Sequence, residues 1–128
     1  MCPEPLDHYS YIVFECTYPV ASPLPFGMEG DCPVVVTAAN QAENTADGVL
    51  TESHGEEAPQ LLALGLFPTM GDVIVAVDES IVTQLNSNQL ARLLTRKRNL
   101  FTERAEVQHN IRFTFRRHFL KVCFCLCL

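Results

Sequence analysis

Six cysteines, four histidines and fifteen carboxylates are the side chains of this 128-residue chain whose types could do chemistry. The cysteines are Cys2, Cys16, Cys32, Cys123, Cys125 and Cys127, and the histidines are His8, His54, His109 and His118. A structural zinc site needs closely spaced thiolate or imidazole ligands, yet the sequence holds no Cys-x-x-Cys pair and no histidines at ligand spacing. No metal or cofactor is therefore expected. A thiolate nucleophile needs a positioned base, and no Cys–His partnership is legible, so no catalytic residue is assigned and a non-enzymatic protein is expected. The thiols are read as reduced, with Cys16 and Cys32 as small core residues. Asp72, directly after Gly71, is a possible general base by type, but its place at a strand entry favours a turn former.

The stretch "HFLKVCFCLCL" closes the chain. Cys125-Leu126-Cys127-Leu128 fits a prenylation signal with Cys125 as the acceptor and a final leucine that suggests geranylgeranyl, although Cys127 departs from the aliphatic pattern. Upstream, Arg116, Arg117 and Lys121 would add an electrostatic attraction to an anionic membrane surface. Two other readings stand beside lipidation: a hydrophobic C-terminus that docks into a neighbouring groove, or an end with no specific role.

The formal net charge of -6 is distributed unevenly. No lysine or arginine occurs before Arg92, all nine basic residues lie between Arg92 and Lys121, and only Glu103 and Glu106 oppose them there. The acidic excess speaks against nucleic acid as a partner, and the simplest role of the basic third is to pair with the acidic remainder. No segment reaches the roughly 18 apolar residues of a membrane span, and Met1-Cys2-Pro3-Glu4 lacks a basic leader, so a cytoplasmic protein is expected, with peripheral membrane attachment through the tail as an addition.

The elements that must position these groups follow from periodicity and breakers. "YSYIVFECTY" is rich in β-formers and closes at Pro19, and "CPVVVTAA" is a second strand. Between them "PVASPLPFGMEGD" is a proline-rich loop. Asn40 to Glu57 is polar and acidic and reads as a solvated loop insertion. "APQLLALG" reads as a short helix with Pro59 in its first turn and Gly65 past its end. In "TMGDVIVAVDES", Val73 to Val77 form a short buried strand between two turns. "LNSNQLARLLTRKR" has helical spacing at Leu90, Leu93 and Leu94, with Asn86 as N-cap, Gln89 as its capping-box partner and Leu85 as staple. "NIRFTFRRHF" alternates Ile111, Phe113 and Phe115 against Arg112, Thr114 and Arg116, a half-buried last strand. This order is α+β, without the strict alternation of a doubly wound sheet.

In this order the residues resemble a PDZ domain. The resemblance rests on Gly65-Leu66 ending the short helix, Gly71-Asp72 opening "VIVAV", then Val82, Leu85, the helix with Leu90 to Leu94, and "IRFTFRR" as closing strand. It is specific from Ala58 to Arg117 and weaker from Tyr9 to Ala39. It implies a small, partly open β-sandwich or barrel of five to six strands with one short and one longer helix. The organisation that goes with it is an N-terminal extension over 1–8, a PDZ-like domain over 9–117 with the acidic insertion near 40–57, and a hydrophobic cysteine-rich tail over 118–128. Phe67-Pro68 and the acidic loop are insertions relative to the family pattern.

The function implied is protein–protein interaction: an adaptor or scaffold module of signalling type that binds the C-terminal peptide of a partner as an added strand beside the second helix, its carboxylate held by loop amides. By resemblance the peptide site comprises Leu24, Pro25, Phe26, Gly27 and Met28 on the loop and following strand, and Ser87, Ala91 and Leu94 on the helix. Ser87 stands where many members place a histidine, and the small Ala91 leaves room for a bulky ligand residue. Pro25 departs from the family, which usually has glycine there, because proline removes one amide donor. The alternative is a membrane-peripheral adaptor that works mainly through its basic, lipidated tail.

Overall fold

In the computed structural model, residues 10–20, 23–31, 33–39, 48–63, 65–102 and 110–119 are described. The elements are β1 (Ser10–Pro19), β2 (Phe26–Glu29), β3 (Val35–Ala39), β4 (Val49–His54), α1 (Ala58–Leu62), β5 (Val73–Val77), β6 (Ser80–Ile81), α2 (Ser87–Thr102) and β7 (Asn110–Phe119). The fold is thus α+β, as its sequence pattern predicts. The strands form one open sheet in the order β2-β3-β5-β7-β1-β4, with β6 paired to β5, and each of these pairings is antiparallel.

The long central pair explains itself from the sequence. β1 and β7 pair from Ser10 opposite Phe119 to Pro19 opposite Asn110. Their alternate residues Ile12, Phe14, Cys16 and Tyr18, and Ile111, Phe113 and Phe115, are all buried. Period-two alternation sends these side chains to one face, where they meet the helices. Phe14 stacks on Phe115 with ring centroids 5.4 Å apart, and Phe26 meets Phe113 and Phe115 edge-on at 5.3 and 5.5 Å. Such offset and edge contacts suit the ring quadrupole. Val34, Val36, Ala58, Leu61, Ile74, Val77, Val82, Leu90 and Leu94 complete this core.

The helix starts are also as their residues dictate. Asn86 Oδ1 accepts from the Gln89 amide at 2.8 Å, and Gln89 Oε1 accepts from the Asn86 amide at 3.0 Å, a closed capping box. Leu85 packs against the core that holds Leu90. Pro59 sits in the first turn of α1, where its missing N–H costs nothing, and Gly65 follows the helix with φ of 91°.

Two sequence expectations, the strand count and the loops, are corrected. The sheet has seven strands, where five to six were expected, and two segments read as loops contribute to it: the acidic segment 40–57 supplies β4 and the proline-rich segment supplies β2. All six residues of β4 are exposed, so no buried face imposes the alternation by which a strand is recognised. What holds it is the backbone ladder to β1, Thr51 Oγ1 donating to the Val13 carbonyl at 3.1 Å, and the Tyr11 ring stacked on His54 at 5.2 Å. β7 runs through His118 to Phe119. Residues 120–128, and with them every reading of Cys125 and Lys121, lie outside the described residues.

Candidate functional site

The peptide site expected from sequence falls at one edge of the sheet. β2 pairs β3 on one side and is the first strand in the sheet order, so its other edge takes no strand among the described residues. That end of the fold lies against α2: Asp31 forms an antiparallel bridge with Asn86, and the Ser87 amide donates to the Gly30 carbonyl at 3.0 Å. The first turn of α2 is thereby tied to the end of β2 by the chain's own backbone groups.

The residues assigned to this site divide by burial. Phe26 and Leu94 belong to the core cluster, with Leu24 and Met28 packed against it. Pro25 is buried, Gly27 and Ser87 are half-buried, and Ala91 is exposed. Leu94 is only 6% exposed and is part of the core. Ala91 instead joins Arg92, Thr95 and Arg96 in lining an open depression on α2. Helical spacing carries this flank round: Ser87 and Ala91 are four residues apart on the side next to Leu94.

A second centre is unforeseen. Arg117 is 4% exposed and Asp72 is 2% exposed. Arg117 Nε donates to Asp72 Oδ1 at 2.9 Å and Nη2 to Oδ2 at 2.8 Å, a fork-to-fork pair. The same guanidinium donates through Nη1 to the Leu61 and Gly65 carbonyls at 3.2 and 2.9 Å, and through Nη2 to the Phe67 carbonyl at 2.7 Å. Its carbon lies 4.9 Å from the centroid of the Phe14 ring. Asp72 Oδ2 also accepts from the Thr69 amide and hydroxyl at 2.9 and 3.2 Å.

This centre decides two of the sequence readings. Asp72 is a turn former, since its carboxylate closes the Thr69–Asp72 turn behind Gly71, whose φ is 95°. Its Oδ1 accepts from Arg117 and its Oδ2 from Arg117 and Thr69, in a site where the residue is 2% exposed. Arg117 was assigned from sequence to a basic membrane-facing patch. The structure corrects this: the side chain points into the core and spends its donors on Asp72 and three carbonyls. The signal was present in the sequence, because alternation places residue 117 on the inward face with Ile111, Phe113 and Phe115.

Thiol chemistry finds no support at the described cysteine. Cys16 is buried, and burial pushes its thiol up to about 11, so the nucleophilic thiolate is disfavoured. Burial likewise pushes the Tyr18 phenol up. Cys2, Cys32, Cys123, Cys125 and Cys127 lie outside the described residues. Among the described residues no three His, Cys, Asp or Glu side chains cluster in a way that could hold a metal ion, and no helix is long and apolar enough to cross a membrane.

At the turn after β5, Asp78 adopts φ of 53°. The Arg112 amide donates to its Oδ1 at 3.0 Å, and Lys97 of α2 pairs with its Oδ2 at 3.1 Å. Lys97 thus ties the second half of α2 to the turn between β5 and β6, while Arg92 and Arg96 stay exposed. Comparison of the chain with protein-family models, with curated proteins and with solved structures finds no match.

Proposed function

We propose that this domain is a PDZ-like, non-enzymatic peptide-binding module that takes the C-terminal segment of a partner protein as an added antiparallel strand on the open edge of β2, beside α2. The observation that carries the reading is that edge. β2 is an outer strand, and its far end is fixed to the first turn of α2 through Gly30 and Ser87. Strand addition supplies main-chain hydrogen bonds for affinity, and alternate ligand side chains enter pockets for specificity. The family resemblance of Gly71-Asp72, "VIVAV" and the capped α2 supports the same reading, with Leu24, Phe26, Gly27 and Met28 on the strand side and Ser87, Ala91 and Leu94 on the helix side.

Pro25 sets the test. Without an N–H at residue 25, the loop holds a terminal carboxylate with fewer amides than the glycine-containing loop usual in PDZ domains. Fluorescein-labelled peptides with an apolar last residue, each with a free or an amidated C-terminus, should bind by fluorescence anisotropy with a small preference for the free acid. A hydrogen bond to a charged acceptor is worth about 1.5–3 kcal/mol, so Pro25→Gly should raise that preference by roughly tenfold or more. No binding of either peptide series would overturn the strand-addition reading. An unchanged ratio in folded Pro25→Gly would remove Leu24-Pro25-Phe26 as the carboxylate loop.

A further inference from the structure

Both described helices pack, through Ala58, Leu61, Leu90 and Leu94, on the sheet face that holds Phe14, Phe113 and Phe115. Alternation sends the remaining side chains of the strands to the opposite face, which neither of these helices covers. Register sets one row across it: Val35 of β3 lies opposite Val73 of β5, Val73 opposite Arg116 of β7, Arg116 opposite Val13 of β1, and Val13 opposite Glu52 of β4. The three valines are half-buried, and none belongs to the core cluster. At either side of the next row stand Val49, 62% exposed, and Ile81, 69% exposed. Arg116, with a valine on each side, makes no side-chain hydrogen bond or ion pair among the described residues, and its enclosed Nε has no acceptor. Arg112, on the same strand, has Glu15 at 3.9 Å. An enclosed donor without an acceptor is costly, so the carboxylate that Arg116 lacks has to come from elsewhere.

We infer that this face is a self-association surface, on which a second copy of the chain lays the same face to form a two-fold dimer. Arg116 and Glu52 stand one strand to either side of Val13, at the same level along the strands. A two-fold axis that runs along β1 above Val13 keeps that level and exchanges the two sides, so the Arg116 of each copy comes to lie over the Glu52 of the other. Such reciprocal contact, i to j and j to i, is what a two-fold interface requires. Sheets packed face to face stand ~10 Å apart, within joint reach of an arginine and a glutamate side chain. The ~30° between packed sheets displaces groups this close to the axis by only ~2–3 Å. Glu52 is exposed, and of its two oxygens only Oε2 accepts within its own chain, from the Tyr11 hydroxyl. Glu15, next along the axis on β1, would face its own counterpart, and the Arg112 beside it offsets that like charge. At ~3.3 Å per residue and ~4.8 Å between strands, the paired parts of the five strands span ~600 Å². A standard specific interface buries about 800 Å² per partner, so this is a dimer that dissociates at roughly micromolar concentration. The far edge of β2 is not part of this face, and peptide binding and self-association therefore fail independently.

The test is sedimentation equilibrium of the full chain over roughly 1–300 μM, with far-UV circular dichroism to show that each variant is folded. Wild type should pass from monomer to dimer and stop there, because a two-fold interface closes on itself. Arg116→Glu and Glu52→Arg each set like charges against one another on both sides of the axis, and each should raise the dissociation constant by roughly tenfold or more. In Arg116→Glu/Glu52→Arg the two charges are exchanged, and the dissociation constant should return to within about threefold of wild type. A chain that stays monomeric throughout overturns the inference. So does association that both single variants leave unchanged, since it then belongs to another surface, and so does association that continues past the dimer. Weakening in the single variants without recovery in the double variant overturns the Arg116–Glu52 pairing and with it the axis over Val13.

Discussion

Replacing Asp72 by alanine should be among the most damaging single changes in this chain. The substitution leaves the Arg117 guanidinium, 4% exposed, without its counter-charge, while the Leu61, Gly65 and Phe67 carbonyls still hold it in the interior. Removing one partner of a buried ion pair costs about 3–5 kcal/mol, because the remaining charge is neither solvated nor neutralised. The Thr69 amide also loses its acceptor, and the turn into β5 loses its closure. For a urea slope of about 2 kcal/mol per molar, the unfolding midpoint followed by far-UV circular dichroism should fall by about 1.5–2.5 M. The double variant Asp72→Ala/Arg117→Met removes both charges together, so it should be less destabilised than the sum of the two single variants by about 1–3 kcal/mol. Arg117→Lys should not rescue, because an ammonium cannot reproduce a fork that serves a carboxylate and three carbonyls. A midpoint for Asp72→Ala within about 0.5 M of wild type, or strict additivity in the cycle, would refute the view that this pair is a buried and coupled centre.

Gly55 has φ of 95°, and a methyl group there would collide with Ser10 Oγ, so Gly55→Ala should lower stability by about 1–3 kcal/mol, read as a fall in the urea midpoint. The Cys16 thiol, pushed by burial from 9.0 to about 11, keeps its proton in the folded chain after the unfolded chain has lost it. Stability should therefore be fully present below pH 9 and fall as pH rises towards 11, with Tyr18 adding to the loss from about pH 10. Urea midpoints at pH 7.5 and 9.5, chosen as roughly either side of the thiol's ordinary range, check this. Cys16→Val should flatten the difference between them, and an equal decline in that variant would exclude the thiol as its source.

Most of the element order was legible before any coordinates because local physics writes it into the chain. Alternation of branched and aromatic residues marks β1, β5 and β7. Asn86 and Gln89 mark the start of α2, and Pro59 and Gly65 bracket α1. The expected peptide site was legible only in part. The sequence named Leu94 as a pocket wall, but a leucine on the inward flank of an amphipathic helix has the same spacing whether it meets a ligand or the core. In the fold it is a core residue, and the exposed neighbour is Ala91. The meeting of Asp31 with Asn86 carried no signal, since nothing local tells that the end of β2 meets the first turn of a helix more than fifty residues further on.

By itself, the sequence determined the α+β class, the strands that alternate, the two helix starts and the confinement of basic charge to the last third, because each depends on neighbours within a few residues. Only the tertiary structure decided that an exposed polar segment becomes β4, since an edge strand is held by backbone pairing with β1 and needs no hydrophobic face of its own. Likewise, Arg117 looks like a surface cation when read beside Arg116, and it becomes a core residue because Asp72, forty-five residues away, arrives at 2.8 Å and makes burial of its charge tolerable. Alternation placed the side chain on the inward face, but the partner that allows it to stay there belongs to the fold.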